Sequence, residues 1–226
     1  MRPLIIMNGE KIDWFHTVIR MLMYLAGVAV LALGMSLQTA SGLGVAALTC
    51  FATTLSMLTG KTLGFWITAA YVAYIVAQLA ILRSEFQPRI LLELCFSTLI
   101  GGFTDFFMAV NPLHPTVLPI QVETMLLSLA VTAFGVSLVV NMGVVPNAPD
   151  GLVQVIAEKI KRRFGDVKVL FDCSHVAVSL VLSLALMHNL GGFGVTTAIS
   201  ALFLGHVINI ANKLFAQRFV RAAFGK

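Results

Sequence analysis

The chain has 226 residues, 58% of them hydrophobic and 11% charged, and a formal net charge of +5. Soluble domains carry about 25% charged residues, so this composition excludes a water-facing globule of the same size. The Lys and Arg residues stand in short clusters between long apolar runs. That suits helix ends at an anionic membrane surface rather than a nucleic-acid interface.

Residues 1–17 read as a cytoplasmic or interfacial N-terminus, with Trp14 and Phe15 at headgroup depth. They do not form a cleavable signal, because the apolar run that follows is long enough to span. A spanning helix needs about 20 mostly apolar residues. Six segments meet that requirement: 18–38, 63–83, 88–110, 120–141, 168–188 and 193–213. Two shorter segments differ. Residues 42–58 are apolar but open with Gly42 and Gly44 and close with Thr59-Gly60. Residues 150–163 predict an amphipathic helix with Asp150 as N-cap. Leu152, Ile156 and Ile160 fall on one face, and Gln154, Glu158, Lys161 and Arg162 on the other, with Glu158 and Arg162 spaced to pair. Such a helix lies on a membrane surface or lines a wet cavity.

The chain repeats itself. Ala-Leu-Gly-Met-Ser-Leu at 32–37 is echoed by Ala-Phe-Gly-Val-Ser-Leu at 133–138, and Gly42 by Gly143. Each half reads long helix, short helix, long helix, long helix. The first membrane repeat covers 18–110, a proline-rich linker 111–119, the second repeat 120–213, and a basic cytoplasmic tail 214–226. If the short helices do not cross, six helices span, the halves are inverted, and Lys61 is left outside. If they do cross, eight span and the halves are parallel. The charge on 150–163 favours six, because a Lys or Arg at the bilayer centre costs about 2.5–3.5 kcal/mol. Both arrangements place the termini in the cytoplasm. The expected fold is thus an all-α membrane protein of six long transmembrane helices plus two shorter re-entrant or interfacial helices, in two related, inverted repeats.

Polar groups inside spans are costly, which makes each a candidate site. Asp105 follows Gly101-Gly102 and matches Asn209 in the second half; His206 precedes Asn209 by three residues; His175 lies just inside the fifth span. Glu93 sits near a charged helix end, where it is expected to face headgroups. The interruptions Ser41–Ala46 and Asn141–Asp150, the latter holding Asn147, follow a span at equivalent places. Paired interruptions of this kind point to a transporter site, and helix N-termini near Val45 and Asp150 would offer N–H groups to a polar or anionic solute. Cys50, Cys95 and Cys173 have no metal spacing and read as buried free thiols. No enzyme signature, metal site or cofactor motif is present in the sequence.

Several stretches carry a family resemblance. The first half has Gly34-Met35-Ser36-Leu37, Gly42-Leu43-Gly44-Val45, Thr62-Leu63-Gly64-Phe65-Trp66 and Ile100-Gly101-Gly102-Phe103-Thr104-Asp105. The second has Pro149-Asp150-Gly151-Leu152, Gly165-Asp166-Val167, Gly191-Gly192-Phe193-Gly194-Val195-Thr196-Thr197 and Phe203-Leu204-Gly205. In this order, from about residue 20 to 213, they resemble the YczE/YitT-type family of bacterial integral membrane proteins. The resemblance implies an inner-membrane protein without enzymatic activity, for which transport is the expected role. The chain departs from the family in Gly-Leu-Gly-Val-Ala-Ala-Leu-Thr at 42–49, where an acidic helix cap is usual. The function expected is a small permease for a polar or anionic solute, with a substrate-binding subunit of a larger importer, or a membrane partner or chaperone, as alternatives. Expected partners are the bilayer, a small-molecule solute, and either further copies or other membrane subunits.

Overall fold

The computed structural model describes residues 14–83, 89–145, 147–188 and 192–224. Residues 9–13 of the N-terminal lead-in and Gly191 lie outside the described residues, as do Lys226 and the rest of 1–8. The described chain is helical: α1 (Trp14–Ser41), α2 (Ala47–Thr59), α3 (Leu63–Leu82), α4 (Arg89–Val110), α5 (Leu118–Met142), α6 (Ala148–Lys159), α7 (Phe164–Leu182) and α8 (Val195–Phe224). A π-helical stretch, Ser183–Met187, extends α7. Six of these helices are long and apolar enough to cross a membrane.

Local chemistry sets the ends. Pro119 occupies the first turn of α5, where a missing N–H costs nothing. Gly60 (φ +68°) and Gly143 (φ +56°) end α2 and α5 in the left-handed conformation that suits glycine. The second short helix is placed differently from the expectation of 150–163. It runs from Ala148 to Lys159, with Asn147 at the N-cap making no side-chain cap bond, and Asp150 in its first turn. Arg162 therefore lies past the helix end, and Glu158 accepts instead from Gln154 Nε2 at 3.0 Å. Helix α8 continues through Phe224, into the stretch read as a tail.

The burial pattern inverts that of a soluble protein. Leu126, Leu127, Val169, Leu170, Val181 and Leu202 are exposed, whereas Gln38, Gln78, Ser97, Thr104, Ser128 and Ser137 are buried. With lipid outside, apolar side chains gain nothing by hiding, and helices associate through close packing and hydrogen bonds. The main seam is α1 against α5. A Cβ on Gly135 would stand 2.6 Å from Leu31 N, and one on Gly34 2.8 Å from Thr132 N, so the two backbones touch.

Contacts fix helix directions. Helices α1 and α4 run parallel, pairing Tyr24 with Phe96 and Met35 with Thr104. Helix α3 is antiparallel to α4, pairing Gly64 with Asp105 and Gln78 with Glu93. The end of α1 and the start of α3 therefore share one end of the bundle, and α2, which joins them, does not cross. Arg20, near the start of α1, meets the end of α5 at Met142. Near its start α7 meets Asp150, just beyond the end of α5, and just past its end Ser183 meets Thr54 of α2, so its start lies at the same end as the end of α5 and it runs antiparallel to α3. Helix α6 likewise enters and leaves on one side. Each short helix packs on a long helix of the other half: α2 on α7 through Phe51–His175 and Thr54–Ser183, and α6 on α3 through Ala148–Gln78.

Candidate functional site

The break after α5 turns the chain inward, and the first turn of α6 meets three long helices. Gln78 of α3 donates through Nε2 to Glu93 Oε2 of α4 at 2.7 Å and to the Ala148 carbonyl at 3.2 Å. Gly151 lets the turn approach closely, since a Cβ would stand 3.0 Å from both Gln78 Oε1 and Glu93 Oε1 and would push them aside. Glu93 is only 2% exposed, so the expectation that it faces headgroups is overturned: its carboxyl points into the bundle. The buried Tyr24 hydroxyl lies within electrostatic reach of Glu93 and has no hydrogen-bond partner.

On its other side the same turn meets α7. Lys168 Nζ lies 2.9 Å from Asp150 Oδ1 and 3.2 Å from Asp172 Oδ1. The second contact is ionic by distance but lacks hydrogen-bond alignment, so Lys168 serves Asp172 Oδ1 less well than Asp150 Oδ1. The buried Asn147 Oδ1 atom has no hydrogen-bond donor. One turn further along α7, His175 Nδ1 lies 2.8 Å from the Phe171 carbonyl. A carbonyl only accepts, so Nδ1 carries the proton, and in the neutral ring Nε2 accepts from the Tyr74 hydroxyl at 2.5 Å. Rings gather around this bond: His175 lies 4.3 Å from Phe171, 5.5 Å from Tyr74 and 6.3 Å from Phe51, between centroids. A cavity of about 260 Å³ opens between α2, α3 and α7, lined by Phe51, Tyr74, Ser174, His175 and Val178.

The break after α1 is built differently. Ala46 N donates to Gln38 Oε1 at 3.1 Å, and Val45 N to the Gly192 carbonyl at 3.1 Å. Thr196 N returns a bond to the Leu43 carbonyl at 2.9 Å, and Thr197 Oγ1 donates to the Val45 carbonyl at 2.7 Å. Gly44 (φ +102°) and Gly194 cross so closely that a Cβ on Gly44 would stand 2.6 Å from Gly194 N. The segment just before α2 is thus held by Gln38 and strapped to the start of α8. No side chain caps the first turn of α2 itself.

Of the residues singled out in the sequence, the structure brings together Asn147, Asp150 and His175. Asp105 lies elsewhere and caps α3, accepting from Gly64 N and Thr62 Oγ1 at 2.7 Å each. Asn141 joins Ser137 and Asn212 between α5 and α8. His206 and Asn209 are exposed on α8, away from the cluster. Cys50 is buried, but Cys95 and Cys173 are exposed. Lys168, Asp172, Tyr74 and Gln78 were not singled out. Lys168 and Asp172 gave a signal, an i,i+4 charged pair inside an apolar run. Tyr74 and Gln78 gave none, because nothing in sequence shows which face of α3 turns inward. Among the described residues, no three His, Cys, Asp or Glu side chains group to hold a metal.

Over residues 18–213 the sequence matches DUF6198, a family of unknown function. The chain belongs to that family. The match takes in both short helices and every residue of the DUF6198 cluster described above. No curated protein and no solved structure shows significant similarity to the chain.

Proposed function

We propose that this chain is a small transporter of a bacterial inner membrane that moves a small polar solute past the cluster at the start of α6. One observation carries the reading: Asp150, in the first turn of a short helix that enters and leaves on one side, meets Lys168 and Asp172 of the spanning helix α7 in a partly buried charged cluster. Ionisable groups are expensive within a membrane and mark solute or ion paths, and discontinuous helices near the midplane are where transporters hold their cargo. The exchange of short helices between halves supports two inverted repeats, and the shared motif order supports kinship with YczE/YitT-type proteins. Even crossings and the basic residues at the α6–α7 turn support cytoplasmic termini. An anionic solute fits poorly. At the α6–α7 cluster, Asp150 and Asp172 outnumber Lys168.

The test is flux in proteoliposomes over a panel of small cationic, neutral and anionic solutes. Saturable flux of at least one, reduced roughly tenfold or more by Asp172→Asn, is expected, since a charge-assisted contact is worth about 1.5–3 kcal/mol. Flux equal to that of empty liposomes for every solute contradicts the reading. The exposed basic turn Lys159–Arg163 favours a second reading, docking to another membrane subunit. Reversing Lys161, Arg162 and Arg163 together would then abolish co-purification of that subunit without harming insertion.

A further inference from the structure

We infer that the cluster is a binding site for a small organic ammonium ion, and that Lys168 occupies part of that site as a tethered competitor. This deepens the transport reading and rests on it for the direction of traffic, but not for binding itself. The structure already shows an ammonium in place: Lys168 Nζ sits between Asp150 and Asp172, with the Phe171 ring centroid 6.0 Å away. Carboxylates beside aromatic faces are the chemistry that holds amines, through charge-assisted hydrogen bonds and ring quadrupoles.

The site also has capacity left over. Among the described residues, one lysine is ion-paired to two carboxylates, and the buried Glu93 borders the same helix turn. Asn147 Oδ1 is a buried acceptor without a hydrogen-bond donor, Asp172 Oδ1 is met by Lys168 at 3.2 Å without hydrogen-bond alignment, and the Tyr24 hydroxyl beside Glu93, 4% exposed, has no hydrogen-bond partner. An ammonium supplies the donors these acceptors lack. Space adjoins them. Asp172 lies within electrostatic reach of Tyr74 and His175, which line the 260 Å³ cavity with Phe51. At roughly 30 Å³ per water, that volume admits a molecule of about eight heavy atoms, so methylammonium would fill only part of it. Its walls are ring and methyl surface, which suits the alkyl part of an amine. Lys168 stands one turn from the start of α7, so its long side chain can swing toward the membrane surface as a ligand arrives.

The probe is methylammonium, measured by equilibrium dialysis against the full chain in lipid nanodiscs, with acetate and glycerol as counter-probes. Saturable methylammonium binding is expected, in preference to both counter-probes. Asp150→Asn and Asp172→Asn should each weaken it roughly tenfold, and Lys168→Met should tighten it by removing the internal competitor. Absence of methylammonium binding by the unaltered chain overturns the inference, as does preference for acetate, or binding indifferent to both aspartates. Because the unaltered chain is itself decisive, failure of Lys168→Met to insert does not rescue the idea. Saturable flux of an anion or neutral solute without methylammonium binding would sink this inference and leave transport standing. Binding without any flux would do the reverse.

Discussion

Individual side chains divide into those that face one another and those that face lipid, and the division predicts how each responds to substitution. Gln78 is 1% exposed and satisfies both Glu93 and the Ala148 carbonyl. Replacing it with Leu strands a buried carboxyl and should cost about 1–3 kcal/mol, read as a melting temperature several degrees lower in detergent. Asp105→Ala removes the cap that Gly64 N and Thr62 donate to. It should cost about 1 kcal/mol while leaving solute binding intact, because the cap lies at the opposite end of α3 from Gln78. His206→Ala should change neither stability nor binding, since His206 is exposed. Sequence singled out Asp105 and His206 as polar groups in apolar runs, but not Gln78. It could not rank them, because rank depends on which face of a helix turns inward. The i,i+3 relation of His206 and Asn209 is real, but their shared face looks outward.

At the scale of the element, six spans were legible, all but the end of α8 to within a few residues, because about 20 apolar residues in a row admit little else. The breaks were legible too, from Gly42, Gly44 and the Asn-Ala-Pro-Asp run at 147–150. The start of α6 was misplaced by two residues. Asp150 was read as the cap because its side chain is a good acceptor, yet that carboxylate is drawn to Lys168, across the turn. Such a tertiary ion pair leaves no local trace. The α1–α5 seam depends on absent side chains. A methyl group at Gly135 meets Leu31 backbone, which cannot yield as a flexible side chain would. Gly135→Val should therefore destabilise by about 1–3 kcal/mol or more, seen as a lower melting temperature. The same change at Gly165, which has open space around it, should be nearly neutral in packing.

For the whole molecule, lipid as outer solvent explains why leucines and valines coat the bundle while serines, threonines and glutamines fill it. It also explains how a charged cluster persists: two short helices turn back within the bundle and leave room beside them that continuous helices would fill. That account stands on neither short helix crossing. Its most direct test replaces the native cysteines Cys50, Cys95 and Cys173 with Ala, places single cysteines at Lys61, His114 and Lys161, and labels intact vesicles of known orientation with a membrane-impermeant thiol reagent. The structure predicts that positions 61 and 114 react from one face and position 161 from the other. Labelling of all three from the same face would mean that α2 and α6 cross, and would contradict the account.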